Sequence, residues 1–80
     1  MSAEKLVRMA NQIADFFRSQ PDDTAVASVA DHMKSFWNPV MRRQIYAHMD
    51  NGGEGLSELA LTAINQMSLL DPIYIKKLIK

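Results

Sequence analysis

The chain has 80 residues and carries nine basic and nine acidic side chains, so its formal net charge is zero. This balance argues against nucleic-acid binding, which needs a clustered positive field, and the 48% share of hydrophobic residues is typical of a folded domain. There is no cysteine, which excludes disulfides, iron–sulfur ligation and thiol catalysis. No apolar run is long enough for a signal peptide or a membrane span, so a cytoplasmic protein without membrane contact is predicted.

The first predicted helix begins after Ser2, whose hydroxyl can cap the free amide groups at a helix start. Pro21 ends it near Ser19 or Gln20, because the residue before a proline avoids helical geometry. Apolar residues recur along the segment at steps of three and four, which predicts one buried face. This face consists of Leu6, Met9, Ala10, Ile13, Phe16 and Phe17.

The second predicted helix starts at Asp22, Asp23 and Thr24, which are favourable at the positive end of a helix. Its apolar stripe predicts a second buried face, made of Val26, Val29, Ala30, Met33, Phe36 and Trp37. Asn38-Pro39 then predicts a sharp corner, since Asn is a preferred cap and Pro a preferred first residue of a helix. The third helix ends at the glycines after Asp50, and its apolar residues are Val40, Met41, Ile45, Tyr46 and Met49.

A fourth helix is predicted from about Leu56 or Ser57, with one apolar side made of Leu59, Ala60, Ala63, Ile64 and Met67. Asp71-Pro72 is a further start signal, and the basic and apolar tail after it is either a short fifth helix or an extended segment. Short turns join the four amphipathic segments. We therefore predict an all-α fold with one domain over residues 1–80, a small bundle of about four short helices with residues 71–80 as a tail.

The residue pattern predicts no catalytic, cofactor-binding or metal site. His32 and His48 are the two histidines, and neither has another histidine three or four residues away, so a surface or structural role is favoured. The glycine cluster from Gly52 to Gly55 follows a helix rather than a strand, which favours a turn over a phosphate-binding loop. Helix capping and loop solvation explain the carboxylates at Asp22-Asp23 and beside the glycines.

The segment from Phe36 to Arg43 is the most unusual local feature, because two aromatics precede a corner and two arginines follow it. In one interpretation the aromatics fill the end of the bundle and the arginines are solvated. In the other, one aromatic and one arginine face outward, since Trp and Arg anchor many interfaces. The residues predicted to contact a partner are Phe36, Trp37, Met41, Arg42 and Arg43.

Three blocks of the sequence are similar to a known family. They are LVRMANQIADFF (residues 6–17), VADHMKSFWNPVMRR (29–43) and GGEGLSELALTAI (52–64). In their order and spacing they resemble the delta subunit of NAD-dependent, molybdenum-containing formate dehydrogenases. The chain departs from the family pattern at Asn38 and Val40, where aspartate and arginine are usual, and the tail from about Leu70 lies outside the resemblance.

The resemblance implies a non-catalytic accessory subunit of a cytoplasmic complex that oxidises formate and passes the electrons to NAD. The implied partner is the large alpha subunit, which holds the molybdenum bis-molybdopterin guanine dinucleotide cofactor and iron–sulfur clusters. The beta and gamma subunits of such a complex hold FMN and further clusters, and this chain resembles neither of them. Its implied role is to bind the alpha subunit and to support assembly or stability.

Two alternatives stay open. A transient maturation chaperone for a molybdoenzyme would be absent from the mature complex. A free-standing helical regulator unrelated to formate oxidation, for example a DNA-binding module, would need a basic recognition helix, at which Arg42 and Arg43 only hint. An independent enzyme ranks last, because no pattern here supplies a nucleophile, a base and an orienting group.

Overall fold

A computed structural model describes residues 2–74 and contains four α-helices. They are α1 (Ala3–Phe17), α2 (Asp22–Phe36), α3 (Pro39–Asp50) and α4 (Glu58–Leu70). The most extensive packing joins α2 to α4, and α1 contacts each of the other three helices. The predicted all-α bundle of about four short helices is confirmed, while residues 75–80 of the predicted tail lie outside the described residues.

Three helices begin at a capping side chain, and two of these caps, Ser2 and Asn38, are predicted from the sequence. The Ser2 hydroxyl accepts from the amide of Lys5 at 3.2 Å and starts α1. The Asn38 side-chain oxygen accepts from the amide of Met41 at 2.9 Å, directly before the proline that opens α3. The Ser57 hydroxyl caps α4 in the same way.

In the part of the chain that the structure describes, no helix has the length and apolar character to cross a membrane.

The turn between α1 and α2 differs from the prediction at both ends. The last residue of α1 is Phe17, because the amide of Gln20 turns back to the Phe17 carbonyl at 3.0 Å and tightens the chain before the proline. The first residue of α2 is Asp22, and Pro21 holds the capping position without a side-chain hydrogen bond. The carboxylate of Asp23 accepts instead from its neighbour Thr24. Both acids still lie in the first turn, where the helix dipole favours negative charge.

The core contains most of the predicted apolar faces, but three large residues assigned to those faces are exposed. Phe16 is 79% exposed, Phe36 72% and Val40 56%. Consecutive helical residues project about 100° apart, so the two rings of the doublet Phe16-Phe17 point in different directions, and here Phe16 is the one that points away from the core. The buried apolar residues are Leu6, Val7, Ala10, Ala14, Ala25, Val29, Met33, Trp37, Ile45, Tyr46, Ala60, Ala63, Ile64 and Met67.

The glycine cluster forms the predicted turn, and two side chains hold it in place. Gly55 has a φ of +88°, a left-handed conformation that favours glycine. The Asn11 amide donates to the Gly55 carbonyl at 2.9 Å and accepts from the amide of Ser57 at 2.8 Å. The Nε2 atom of His48 lies 2.7 Å from the Glu54 carbonyl oxygen. These bonds tie α1 and α3 to the start of α4.

The carboxylate of Asp71 links the end of α4 to α3. Asp71 is 6% exposed, and it accepts from the Tyr46 hydroxyl at 2.7 Å, from Nε of Arg42 at 2.8 Å and from the amide of Ile73 at 3.1 Å. Asp71 ends α4 and turns its carboxylate inward. The fifth helix or extended segment predicted after Asp71-Pro72 would consist mostly of residues 75–80, which lie outside the described residues.

The hydrogen bonds also influence the pKa values of Asp71 and Tyr46. Burial alone would raise the pKa of the Asp71 carboxyl, but the bonds from Tyr46, the Ile73 amide and Arg42 outweigh it and hold the pKa below its ordinary value. Burial and the bond to Asp71 raise the pKa of the Tyr46 hydroxyl. Asp71 is consequently ionised and Tyr46 protonated at neutral pH.

We expect Asp71→Ala to lower the free energy of unfolding by about 3 kcal/mol, because it leaves a largely buried guanidinium and a buried hydroxyl without their acceptor. The measurement is urea unfolding followed by circular dichroism. Asp15→Ala is the matched control, since the ion pair of Asp15 with Arg18 is exposed and its loss costs less than about 1 kcal/mol. Equal effects of the two substitutions would contradict the importance of the buried carboxylate.

The lowered pKa of Asp71 also predicts how stability depends on pH. A carboxyl whose pKa is lower in the folded state stabilises the fold above its unfolded pKa and loses this contribution as the pH falls toward the folded value. The difference in unfolding free energy between wild type and Asp71→Asn should stay constant above about pH 5 and shrink below about pH 4. Urea titrations across this range test it, and a difference independent of pH would refute it.

Candidate functional site

An open groove with a volume of about 530 Å³ lies between α1, α2 and the start of α3. We call it the aromatic groove. The lining contains one histidine and no aspartate, glutamate, lysine or arginine. The lining residues are Met9, Gln12, Ile13, Phe16, Phe17, His32, Phe36, Trp37 and Met41.

A row of four rings runs along this groove from α1 to α2. The rings of Phe16 and Phe17 are 5.0 Å apart at a steep angle, and Phe17 is 6.2 Å from the ring of His32. His32 in turn lies 4.6 Å from Phe36. The two outermost rings are those that solvent reaches most, Phe16 and Phe36. Contiguous exposed apolar surface of this kind marks interaction sites on soluble proteins.

Helical spacing places these side chains on one surface. Met9, Ile13 and Phe16 follow one another at steps of four and three along α1, and His32 and Phe36 are four residues apart on α2. The corner at Asn38 then turns the chain so that Met41, in the first turn of α3, reaches the same groove. The arrangement offers apolar and aromatic contact area, and it lacks the charged groups that would orient an anionic metabolite.

The five predicted contact residues occupy different environments. Phe36, Trp37 and Met41 line the groove, although the ring of Trp37 is buried and only 3% of the residue is exposed. Arg43 is exposed on α3. The guanidinium of Arg42 points inward to the Asp71 carboxylate. One aromatic and one arginine thus face outward, which is the geometry of the interface interpretation. Their contact with a partner stays a prediction.

Six of the nine groove residues are not among the residues predicted to contact a partner. Met9, Ile13, Phe16 and Phe17 belong to the predicted buried face of the first helix, and neither Gln12 nor His32 has a predicted role in binding. The doublet Phe16-Phe17 is the available signal, because two neighbouring rings on a helix point in directions about 100° apart. His32 could be placed beside Phe36 from their spacing of four residues, but nothing in the sequence brings Phe17 to them.

The two aromatics before the corner should differ sharply in their effect on stability. Trp37→Ala removes a buried ring and should lower the free energy of unfolding by about 4 kcal/mol. Phe36→Gln changes an exposed ring and should alter it by no more than about 0.5 kcal/mol. Thermal and urea unfolding of both variants test this. Comparable losses would mean that Phe36 is part of the core.

No group of three or more His, Cys, Asp or Glu side chains within residues 2–74 is arranged to hold a metal ion. His48 contacts a backbone carbonyl, and the ring contacts of His32 are with phenylalanines.

Comparison with known protein families agrees with the resemblance of the three sequence blocks. The family model described as NADH-dependent formate dehydrogenase delta subunit FdsD matches residues 5–64. This range includes every residue that lines the aromatic groove. No curated protein and no solved structure gave a significant match. Because the family model matches three quarters of the chain, the chain belongs to the family of NADH-dependent formate dehydrogenase delta subunits.

Proposed function

We propose that this delta subunit is a non-catalytic accessory protein that binds the large molybdenum-containing alpha subunit of a cytoplasmic formate dehydrogenase. The binding supports assembly of the complex or the stability of the alpha subunit. Family membership supports the choice of complex. The observation that carries the binding role is the aromatic groove, in which Phe16 and Phe36 expose most of their surface.

The groove suits docking of apolar side chains from a folded partner. Aromatic residues and methionine are enriched at protein interfaces, and charged residues are depleted at their centres. Full burial of one phenylalanine side chain contributes about 1.5–3 kcal/mol of favourable free energy. Covering Phe16 and Phe36 would therefore contribute substantially to the free energy of binding. If this chain binds only the assembled form of the alpha subunit, the binding stabilises that form by mass action.

The proposal assigns the redox chemistry to other subunits. The molybdenum bis-molybdopterin guanine dinucleotide cofactor and iron–sulfur clusters belong to the alpha subunit, and FMN, NAD and further clusters to the beta and gamma subunits. This chain has no cysteine and so supplies no thiolate to an iron–sulfur cluster. Its contribution is to bind, which leaves electron transfer to its partners.

Co-purification tests the proposed partner. A tagged chain from its native host should bring down the alpha subunit at a fixed ratio, together with formate dehydrogenase activity. Absence of the alpha subunit would overturn the proposal. Presence on the immature alpha subunit, with loss from the mature active complex, would identify a transient maturation chaperone instead.

The groove itself can be tested with Phe16→Gln/Phe36→Gln. We expect this double variant to fold normally, since both rings are exposed, and to retain little alpha subunit, since the contact loses its apolar area. Leu70→Gln is the matched control, because Leu70 is 78% exposed on α4 and does not line the groove. Retention of the alpha subunit by the double variant at the wild-type ratio would show that the partner binds another surface.

A further inference from the structure

The corner between α2 and α3 forms one wall of the aromatic groove and is held from inside the protein. Phe36, Trp37 and Met41 line the groove on this side. The Trp37 carbonyl, at the end of α2, accepts from Nη1 of Arg42 at 2.9 Å. The last carbonyls of a helix have no partner within the helix, so this bond fixes a group that would otherwise be free to reorient.

Arg42 is in turn fixed by Asp71. Its Nε atom donates to the Asp71 carboxylate at 2.8 Å, and the two side chains are 17% and 5% exposed. A guanidinium is planar and carries several donors in a fixed arrangement, so it can bridge two acceptors without losing its orientation. The Tyr46 hydroxyl and the Ile73 amide hold the carboxylate from two further directions.

A continuous chain of hydrogen bonds thus runs from the end of α4 to the groove wall. We propose that Arg42 and Asp71 are positioning residues for partner binding, because they set the α2–α3 corner that presents Phe36 and Met41 to the alpha subunit. This inference rests on the proposed function. It gives Arg42, predicted from the sequence as a contact, an indirect part in binding.

A purely structural role would make a different prediction. If the ion pair only stabilises the fold, its loss changes the unfolding free energy and leaves the affinity of folded molecules unaltered. If it positions the corner, folded variants bind more weakly and the surroundings of Trp37 change. Trp37 is the single tryptophan of the chain, so its fluorescence reports on the corner alone.

The test uses the full chain with Arg42→Lys and Asp71→Asn. A lysine keeps the positive charge, but its single ammonium group cannot reproduce the two-acceptor geometry of the guanidinium. Ile64→Val is the matched control, since it weakens the buried core on α4 and neither side chain can take part in the chain of hydrogen bonds. Circular dichroism first establishes conditions under which all the proteins are folded.

Two measurements under those conditions decide the proposal. Acrylamide quenching of Trp37 should increase in Arg42→Lys and Asp71→Asn and stay at the wild-type level in Ile64→Val. The dissociation constant for the purified alpha subunit should rise about tenfold in the first two variants, the equivalent of about 1.4 kcal/mol, with no change in the control.

The outcomes separate this proposal from the proposed function. Wild-type dissociation constants for folded Arg42→Lys and Asp71→Asn would overturn the positioning role and leave the proposed function intact. Equal weakening by Ile64→Val would overturn it too, because lost stability would then explain the effect. Failure of the wild-type chain to bind the alpha subunit would overturn the proposed function itself, and the positioning role with it.

Discussion

The buried Asp71 carboxylate is the interaction on which the relative placement of three helices depends. It lies 29 residues after Arg42 and 25 after Tyr46, and it joins the end of α4 to α3 and, through Arg42, to the end of α2. Burying a charge costs several kcal/mol, which only a full set of donors offsets. The net stabilisation by such a group is therefore smaller than the cost of removing one of its partners, which would leave a buried charge without its counterpart.

The α2–α3 corner also forms one wall of the aromatic groove. Trp37 is buried and its backbone is held, whereas Phe36 next to it is exposed. In the doublet Phe16-Phe17 on α1, Phe16 is exposed and Phe17 is half-buried against the core. All four rings line the aromatic groove, and one ring of each doublet also packs on the core, so the surface that we propose for partner binding is built directly on the core.

Some local features were predictable from the sequence, and long-range ones were not. The caps at Ser2 and Asn38 involve residues three apart and follow from helix chemistry, whereas Pro21 takes the capping position that was predicted for the acidic residues at the start of α2. The exposure of Phe16 and Phe36 depends on where neighbouring helices lie, which the spacing of apolar residues does not determine. The partnership of Arg42 with Asp71 joins residues far apart in the chain, and a single sequence contains no signal that pairs them.

The family match and the hydrogen bonds have different limits along the chain. The match ends at residue 64, inside α4, while the carboxylate that fixes the corner belongs to Asp71. A protein shortened to residues 5–64 would keep every ring of the groove and lose the acceptor for Arg42 and Tyr46. Boundaries for recombinant expression, or for grafting this domain onto another protein, should therefore follow the hydrogen bonds and extend at least through Ile73.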